Sequence, residues 1–222
     1  MRVLAIGAHP DDIELGCGGT LALFNNRGHE IYALVLTRGE ASGDPLLRQR
    51  ECENAAETIG MKELFFGDLN DTKITEGIDT IMIIENILGK VVPDIVFSHS
   101  PKDGHQDHRN CGLASLSAAR NCQRVLLYES PAALRDFCPQ VFVDITSTFH
   151  IKRRALSYFY SQSSKPFLDI NNSQGENRKF PNLLNVTEGQ ARFRGFQAGT
   201  LLAEAFEVGK FIMEIQDNEK CG

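Results

Sequence analysis

Two short clusters hold residue types that can do chemistry: His9-Pro10-Asp11-Asp12-Ile13-Glu14 and His105-Gln106-Asp107-His108. Neutral imidazole and carboxylate are nitrogen and oxygen ligands that zinc accepts, and a catalytic zinc takes three of them while a fourth position stays open for water. His9, one aspartate of the Asp11-Asp12 pair and one histidine of the second cluster would supply that set. Adjacent aspartates do not readily point the same way, so one can ligate while its neighbour faces the attacking water as a base. The bland alternative for Asp11, Asp12 and Asp107 is a turn cap or a salt bridge. Two clusters at matching positions in the chain favour the chemical reading. His29, His99 and His150 lack such company and read as ordinary core or surface histidines.

The elements that must position these clusters alternate. Arg2 to Ala8 is a nearly continuous apolar run, as in a strand covered on both faces. Leu15 to Phe24 has helical spacing after its glycines, and Ile31 to Leu36 is a second buried strand. Helices are expected over Leu46 to Ile59 and over Thr75 to Lys90, the latter with Ile78, Ile81, Met82, Ile84 and Leu88 mostly inward. Strands are expected at Leu64 to Phe66, Asp94 to Ser98, Val125 to Tyr128 and Val141 to Asp144. Cys111 to Ala119, Phe149 to Tyr160 and Gln190 to Phe206 read as helices, and 161–185 as a long surface loop or lid. This rhythm predicts an α/β, Rossmann-like, doubly wound and mostly parallel sheet with helices on both faces. Both clusters then fall at strand carboxyl ends, where such sheets bind ligands.

The chain has 222 residues, enough for one large or two small domains. No repeat, linker or second core is visible, so a single domain over 1–222 is expected. Apolar residues make up 42% and charged residues 23%, which excludes a disordered or fibrous chain. With 29 acidic against 23 basic residues the formal charge is −6, which argues against a nucleic-acid partner. The first apolar run is too short for a signal peptide, and no segment reaches the roughly 18 apolar residues of a membrane span. A cytoplasmic protein without membrane insertion is expected. Its six cysteines, without CxxC spacing, then read as reduced thiols, and the sequons at Asn70, Asn171 and Asn185 carry no meaning there.

Ala8-His-Pro-Asp-Asp-Ile-Glu14 together with His105-Gln-Asp-His108 resembles the LmbE-like, or PIG-L, family of zinc-dependent N-deacetylases. Supporting similarities run along the chain: Thr37-Arg-Gly-Glu40, Arg48-Gln-Arg-Glu51, Asp144-Ile-Thr146 with Lys152, Ser161-Gln162, and Ala203-Glu-Ala-Phe206. The resemblance implies that His9, Asp12 and His108 hold one Zn2+ per chain, Fe2+ being another divalent option. It makes Asp11 the general base toward water, and a protonated His105 the group facing the carbonyl and its developing oxyanion. Asp107 would orient a histidine or hold the turn. Glu40, Arg48 and Asp71 match positions that contact sugar hydroxyls. The implied reaction removes acetyl from an N-acetylated amino sugar or sugar conjugate, giving acetate and a free amine, and a homo-oligomer is common in such a family. Gln106 stands where the family commonly has proline, which bears on loop stiffness and leaves the ligands in place.

Two other classes share parts of this pattern. A non-haem iron oxygenase also uses two histidines and a carboxylate, but commonly with an H-x-D pair in a β-rich barrel. Gly16-Cys-Gly-Gly-Thr20 suggests a nucleotide-binding module only faintly. A dinucleotide fingerprint places its glycines immediately after the strand, where this chain has acidic groups.

Overall fold

A computed structural model describes residues 1–163 and 183–213. The elements in chain order are β1 (Arg2–Gly7), α1 (Asp12–Asn26), β2 (Glu30–Thr37), α2 (Pro45–Ile59), β3 (Glu63–Leu69), α3 (Ile78–Val91), β4 (Ile95–His99), α4 (Gln106–Ala118), β5 (Arg124–Tyr128), β6 (Val141–Asp144), α5 (Phe149–Leu156), α6 (Tyr160–Ser163), α7 (Leu183–Ala198) and β7 (Ala203–Phe211). The strands form one seven-stranded sheet in the order β3-β2-β1-β4-β5-β7-β6. The first five in that order are parallel, and β7 is antiparallel to both its neighbours.

Side-chain alternation along the strands divides the core in two. Val3, Ala5, Ile31, Ala33, Val35 and Phe97 face α1, α2 and α5, meeting Leu21, Cys52, Ile59 and Leu156. Leu4, Ile6, Leu34, Leu36 and Val96 face α3 and α4 on the other side, against Ile84, Ile87, Cys111 and Ala114. Both faces of the central strands are covered, which is why they read as unbroken apolar runs. The sheet is therefore doubly wound, as the alternating elements predict. From β1 the chain winds outward through β2 and β3, then returns to place β4 on the other side of β1. The crevice of such a sheet opens at that reversal, beyond the carboxyl ends of β1 and β4.

The glycines after β1 serve packing. A Cβ on Gly16 would lie 2.1 Å from the Tyr128 ring, and one on Gly19 would lie 2.9 Å from Ile145. They sit inside α1, against the sheet side, as expected if they let the helix approach closely.

Several boundaries depart from the sequence reading. Helix α3 buries Ile84, Ile87 and Val91, whereas Ile78 and Met82 are exposed, so the inward stripe runs later along the helix than expected. Helix α4 begins at Gln106, not near Cys111, and so carries Asp107 and His108. The helix expected to run to Phe206 ends at Ala198. Gly199, at φ +73°, turns the chain into β7, whose polar and short side chains conceal a strand with two partners. Of the expected loop over 161–185, residues 164–182 lie outside the described residues, and its edges belong to α6 and α7. The five cysteines among the described residues are free, three of them buried. No helix among the described residues is long and apolar enough to cross a membrane.

Candidate active site

The loop after β1 and the start of α4 meet in the crevice. A cavity of about 590 Å3 opens there, with His9, Asp11, Asp12, His105 and His108 in its wall. Asp12 opens α1, and Asp11 before it adopts φ 103°. A non-glycine residue at such a φ is rare, costs on the order of 1–3 kcal/mol, and persists where its surroundings over-determine it. The backbone turn splits the two aspartates between different partners. Asp12 Oδ2 accepts the His9 N–H at 2.7 Å and lies 3.0 Å from His99 Nε2, while its Oδ1 lies 3.2 Å from His108 Nε2. Asp11 stands 3.5 Å from the Arg48 guanidinium.

Hydrogen bonds assign the ring nitrogens. His9 Nε2 is 3.1 Å from Asp71 and 3.2 Å from Asp107, acidic partners that favour a proton on that edge, and Nδ1 lies 3.4 Å from Asp12. His108 Nδ1 faces Asp103 at 3.2 Å without hydrogen-bond direction, and its Nε2 faces Asp12. His105 is the N-cap of α4. Its Nδ1 accepts the Asp107 N–H at 3.2 Å, which places the proton of the neutral ring on Nε2. Gln106 occupies the first position of α4, where proline also fits, and its amide donates to the Thr72 carbonyl at 2.8 Å. That tether supplies the fixation a proline ring would give. Thr72 itself is held at φ 69° and donates its N–H to Asp107 at 2.7 Å.

The electrostatics call for a cation. Burial disfavours a charged His9, yet hydrogen bonds to Asp107, Asp12 and Asp71 outweigh it and push the ring up to about 12. His108 is likewise opposed by burial, then pushed up to about 9 by Asp12 and Asp103. Burial would raise Asp12, but His108, His99 and His9 hold it well below its usual value. Asp11, by contrast, is raised by burial and by Asp12 against the lowering effect of Arg48. The carboxylates of Asp12, Asp71, Asp103 and Asp107 thus favour positive charge between them. Five buried side-chain polar atoms among the described residues lack a hydrogen-bond partner, and four of them surround this cluster: Arg48 Nε, His99 Nδ1, Asp107 Oδ1 and His108 Nδ1. Donor atoms of His9, His105 and His108, and those of Asp12, His99 and His108, converge closely enough to hold a metal. The residues present fit a divalent cation.

The surroundings of His105, expected to be protonated, act against a proton there. Burial lowers its affinity for a proton, and the positive charges of His108 and His9 lower it further.

The expected sugar contacts have other partners. Arg48 is buried and donates to the carbonyls of Pro10 at 2.7 Å and Gly39 at 3.0 Å, and to Ser42 Oγ. Asp71 accepts the Ala41 N–H, and Glu40 accepts the Asp71 N–H at 2.7 Å. Arg48 and Asp71 line the cavity, and the exposed Glu40 does not. His99, read from sequence as an ordinary histidine, is fully buried behind Asp12, its ring stacked on His108 at 4.1 Å. Asp103 was not singled out at all, although it lies two residues before His105. The signal for His99 was its place at the end of the apolar run Ile95-Val-Phe97, and for Asp103 its nearness to His105.

The family model for GlcNAc-PI de-N-acetylase, PIG-L, matches residues 4–119. An uncharacterised deacetylase of Escherichia coli is 37% identical over 162 residues, 69% of this chain and 88% of that one. A diacetylchitobiose deacetylase of Thermococcus kodakarensis is 29% identical over 186 residues, 72% of this chain and 70% of that one. The crystal structure of a conserved protein from Thermus thermophilus superposes with a TM-score of 0.82 at 23% identity, over 96% of each chain.

Proposed function

The chain belongs to the PIG-L, or LmbE-like, family of de-N-acetylases, and from that premise we propose that it is a metal-dependent hydrolase that removes acetyl from an N-acetylated amino sugar or sugar conjugate, releasing acetate and a free amine. The observation that carries this reading is one cavity walled by His9, Asp11, Asp12, His105 and His108, in which Asp12 lies 3.4 Å from His9 Nδ1 and 3.2 Å from His108 Nε2. His9, Asp12 and His108 are the proposed ligands of one zinc ion, with ferrous iron as the competing metal. A divalent cation held there supplies Lewis acidity toward the amide carbonyl and toward water.

The chain's own groups do the rest. Asp11, raised by burial, takes the proton of the attacking water, and the Arg48 contact keeps its carboxylate aimed. His105 Nε2–H donates to the carbonyl oxygen as it gains charge. Asp71 and Asp107 fix the His9 tautomer, as carboxylates behind ligating histidines do. The diacetylchitobiose deacetylase among the relatives supports a small N-acetyl sugar as substrate. The free cysteines support a reducing, cytoplasmic site of action.

Metal-loaded protein incubated with N-acetylglucosamine and N,N′-diacetylchitobiose should release acetate and primary amine in equal amounts. Ala at His9, Asp12 or His108 should lower both bound metal and turnover. Full metal retention and turnover in all three variants would sink the ligand set, and an absence of acetate from every N-acetyl sugar offered would sink the reaction class.

A further inference from the structure

Gln162, in α6, lies in the cavity wall near Ser42. Its hydrogen bonds decide which way the amide points. Nε2 donates to the Ser42 carbonyl at 3.4 Å and to Ser161 Oγ at 3.1 Å. A carbonyl only accepts, so the amide nitrogen must face it. Ser161 Oγ can accept because its own proton goes to Glu51 Oε2 at 2.6 Å, while the Ser161 N–H donates to Glu51 Oε1 at 3.0 Å. Glu51 is only 2% exposed, and both its oxygens accept from Ser161.

The donors therefore run one way, from Gln162 through Ser161 to Glu51, and both amide hydrogens of Gln162 are used. What remains is Oε1, an acceptor to which no protein donor is bonded among the described residues. Glu51 sits three positions after Arg48 on α2, one helical turn along the same face. Arg48 braces the Pro10 carbonyl beside Asp11, and Glu51 braces the Gln162 corner. One helix thus fixes the reacting groups and this acceptor relative to each other.

We infer that Gln162 Oε1 is a specificity contact that accepts a hydrogen bond from a hydroxyl of the amino-sugar substrate, with Ser161 and Glu51 as the positioning residues that hold it. The inference rests on the proposed N-deacetylase reading and adds which feature of the sugar is read. A sugar lacking that hydroxyl, or carrying it as an ether, leaves the acceptor unpaired and is discriminated against.

The experiment measures kcat and KM for N-acetylglucosamine and its 3-, 4- and 6-deoxy analogues in wild type, Gln162→Leu, Ser161→Ala and Ser161→Thr. Loss of one neutral hydrogen bond corresponds to about 3- to 10-fold, so Gln162→Leu should raise KM for N-acetylglucosamine by about that factor. One deoxy analogue should lose the same factor with wild type and lose nothing further with Gln162→Leu, which separates a lost contact from general damage to the wall. Ser161→Ala should reproduce part of the KM effect, and Ser161→Thr, which keeps the hydroxyl, should rescue it. Equal KM values and the same ranking of all four sugars in wild type and Gln162→Leu overturn the inference while the hydrolase reading stands. Failure of wild type to release acetate from any of the four overturns that reading, and the inference with it.

Discussion

Helix α1 touches two buried clusters of charge, and they are built to opposite rules. Midway along it, Glu204 accepts the N–H groups of Gly19 at 2.9 Å and Thr20 at 2.7 Å and the Lys152 ammonium at 2.5 Å, while Lys152 also donates to the Leu15 carbonyl. Both charges are nearly inaccessible and both are spent on protein partners. At the amino end of the same helix, His9, Asp12 and His108 crowd together with strained backbone at Asp11 and with unpartnered atoms around them. A closed set of bonds fixes α5 and β7 to α1. An open set, with unpartnered atoms among its carboxylates and histidines, is able to bind a metal. Burial alone does not separate the two; the bookkeeping of donors and acceptors does.

The contrast is broken most directly at Asp11. Asp11→Asn should keep metal but lower kcat by about 10²- to 10⁴-fold, because an amide cannot take the water's proton. Its melting temperature should hold or rise, since a buried carboxylate beside Asp12 is removed. A large loss of stability with normal kcat would show the open cluster to be structural after all.

Lys152→Met tests the closed cluster from the other side. It leaves the Glu204 charge buried and unpaired, a change that costs about 3–5 kcal/mol. Denaturant unfolding should show that loss, while the folded fraction keeps its turnover, because Lys152 is outside the catalytic cavity. Lys152→Met combined with Glu204→Leu should recover much of the stability. A Lys152→Met protein of unchanged stability but lower kcat would reverse the assignment of the two clusters.

How far the sequence reveals this difference depends on the kind of bond involved. The parallel core is legible because strands covered on both faces must be continuously apolar, as Val3 to Ala8 and Ile31 to Leu36 are. The site is legible where its residues cluster in sequence, as in His9 to Asp12 and His105 to His108. It is illegible where a residue works from behind. His99 looks like the polar end of a strand, and Asp103 like a turn residue, until the sheet brings Asp12 and His108 onto them. Strand β7 is missed for a related reason: Ala203, Ala205 and Glu204 satisfy a helical pattern as well as a strand, and only pairing with β5 and β6 decides. Arg48 shows the limit of residue type, since nothing in a guanidinium tells that it braces the Pro10 and Gly39 carbonyls.

The smallest expected effect comes from a second closed carboxylate, and its pH dependence sharpens the same distinction. Glu207, 6% exposed, accepts from Ser100 Oγ at 2.8 Å, from Lys102 Nζ at 2.7 Å and from the Cys138 N–H at 2.8 Å. Burial alone would raise its pKa, but the bonds from Lys102, Cys138 and Ser100 outweigh that and hold it below its ordinary value of 4.5. A carboxyl depressed by folding releases its proton more readily in the native state, so it adds stability above the unfolded value and loses that contribution as pH falls through the folded one. Lys102 is substantially exposed, so its share is screened. Glu207→Gln should therefore cost about 1–2 kcal/mol at neutral pH, with the deficit against wild type shrinking as pH is lowered below the unfolded value. Thermal melts of both proteins across the acid range check this. The neighbouring Asp103 faces His108, so the loop that Lys102 anchors also sets one face of the proposed metal site, and a deficit that stayed constant down to low pH would mean that Glu207 acts there by shape and not by charge.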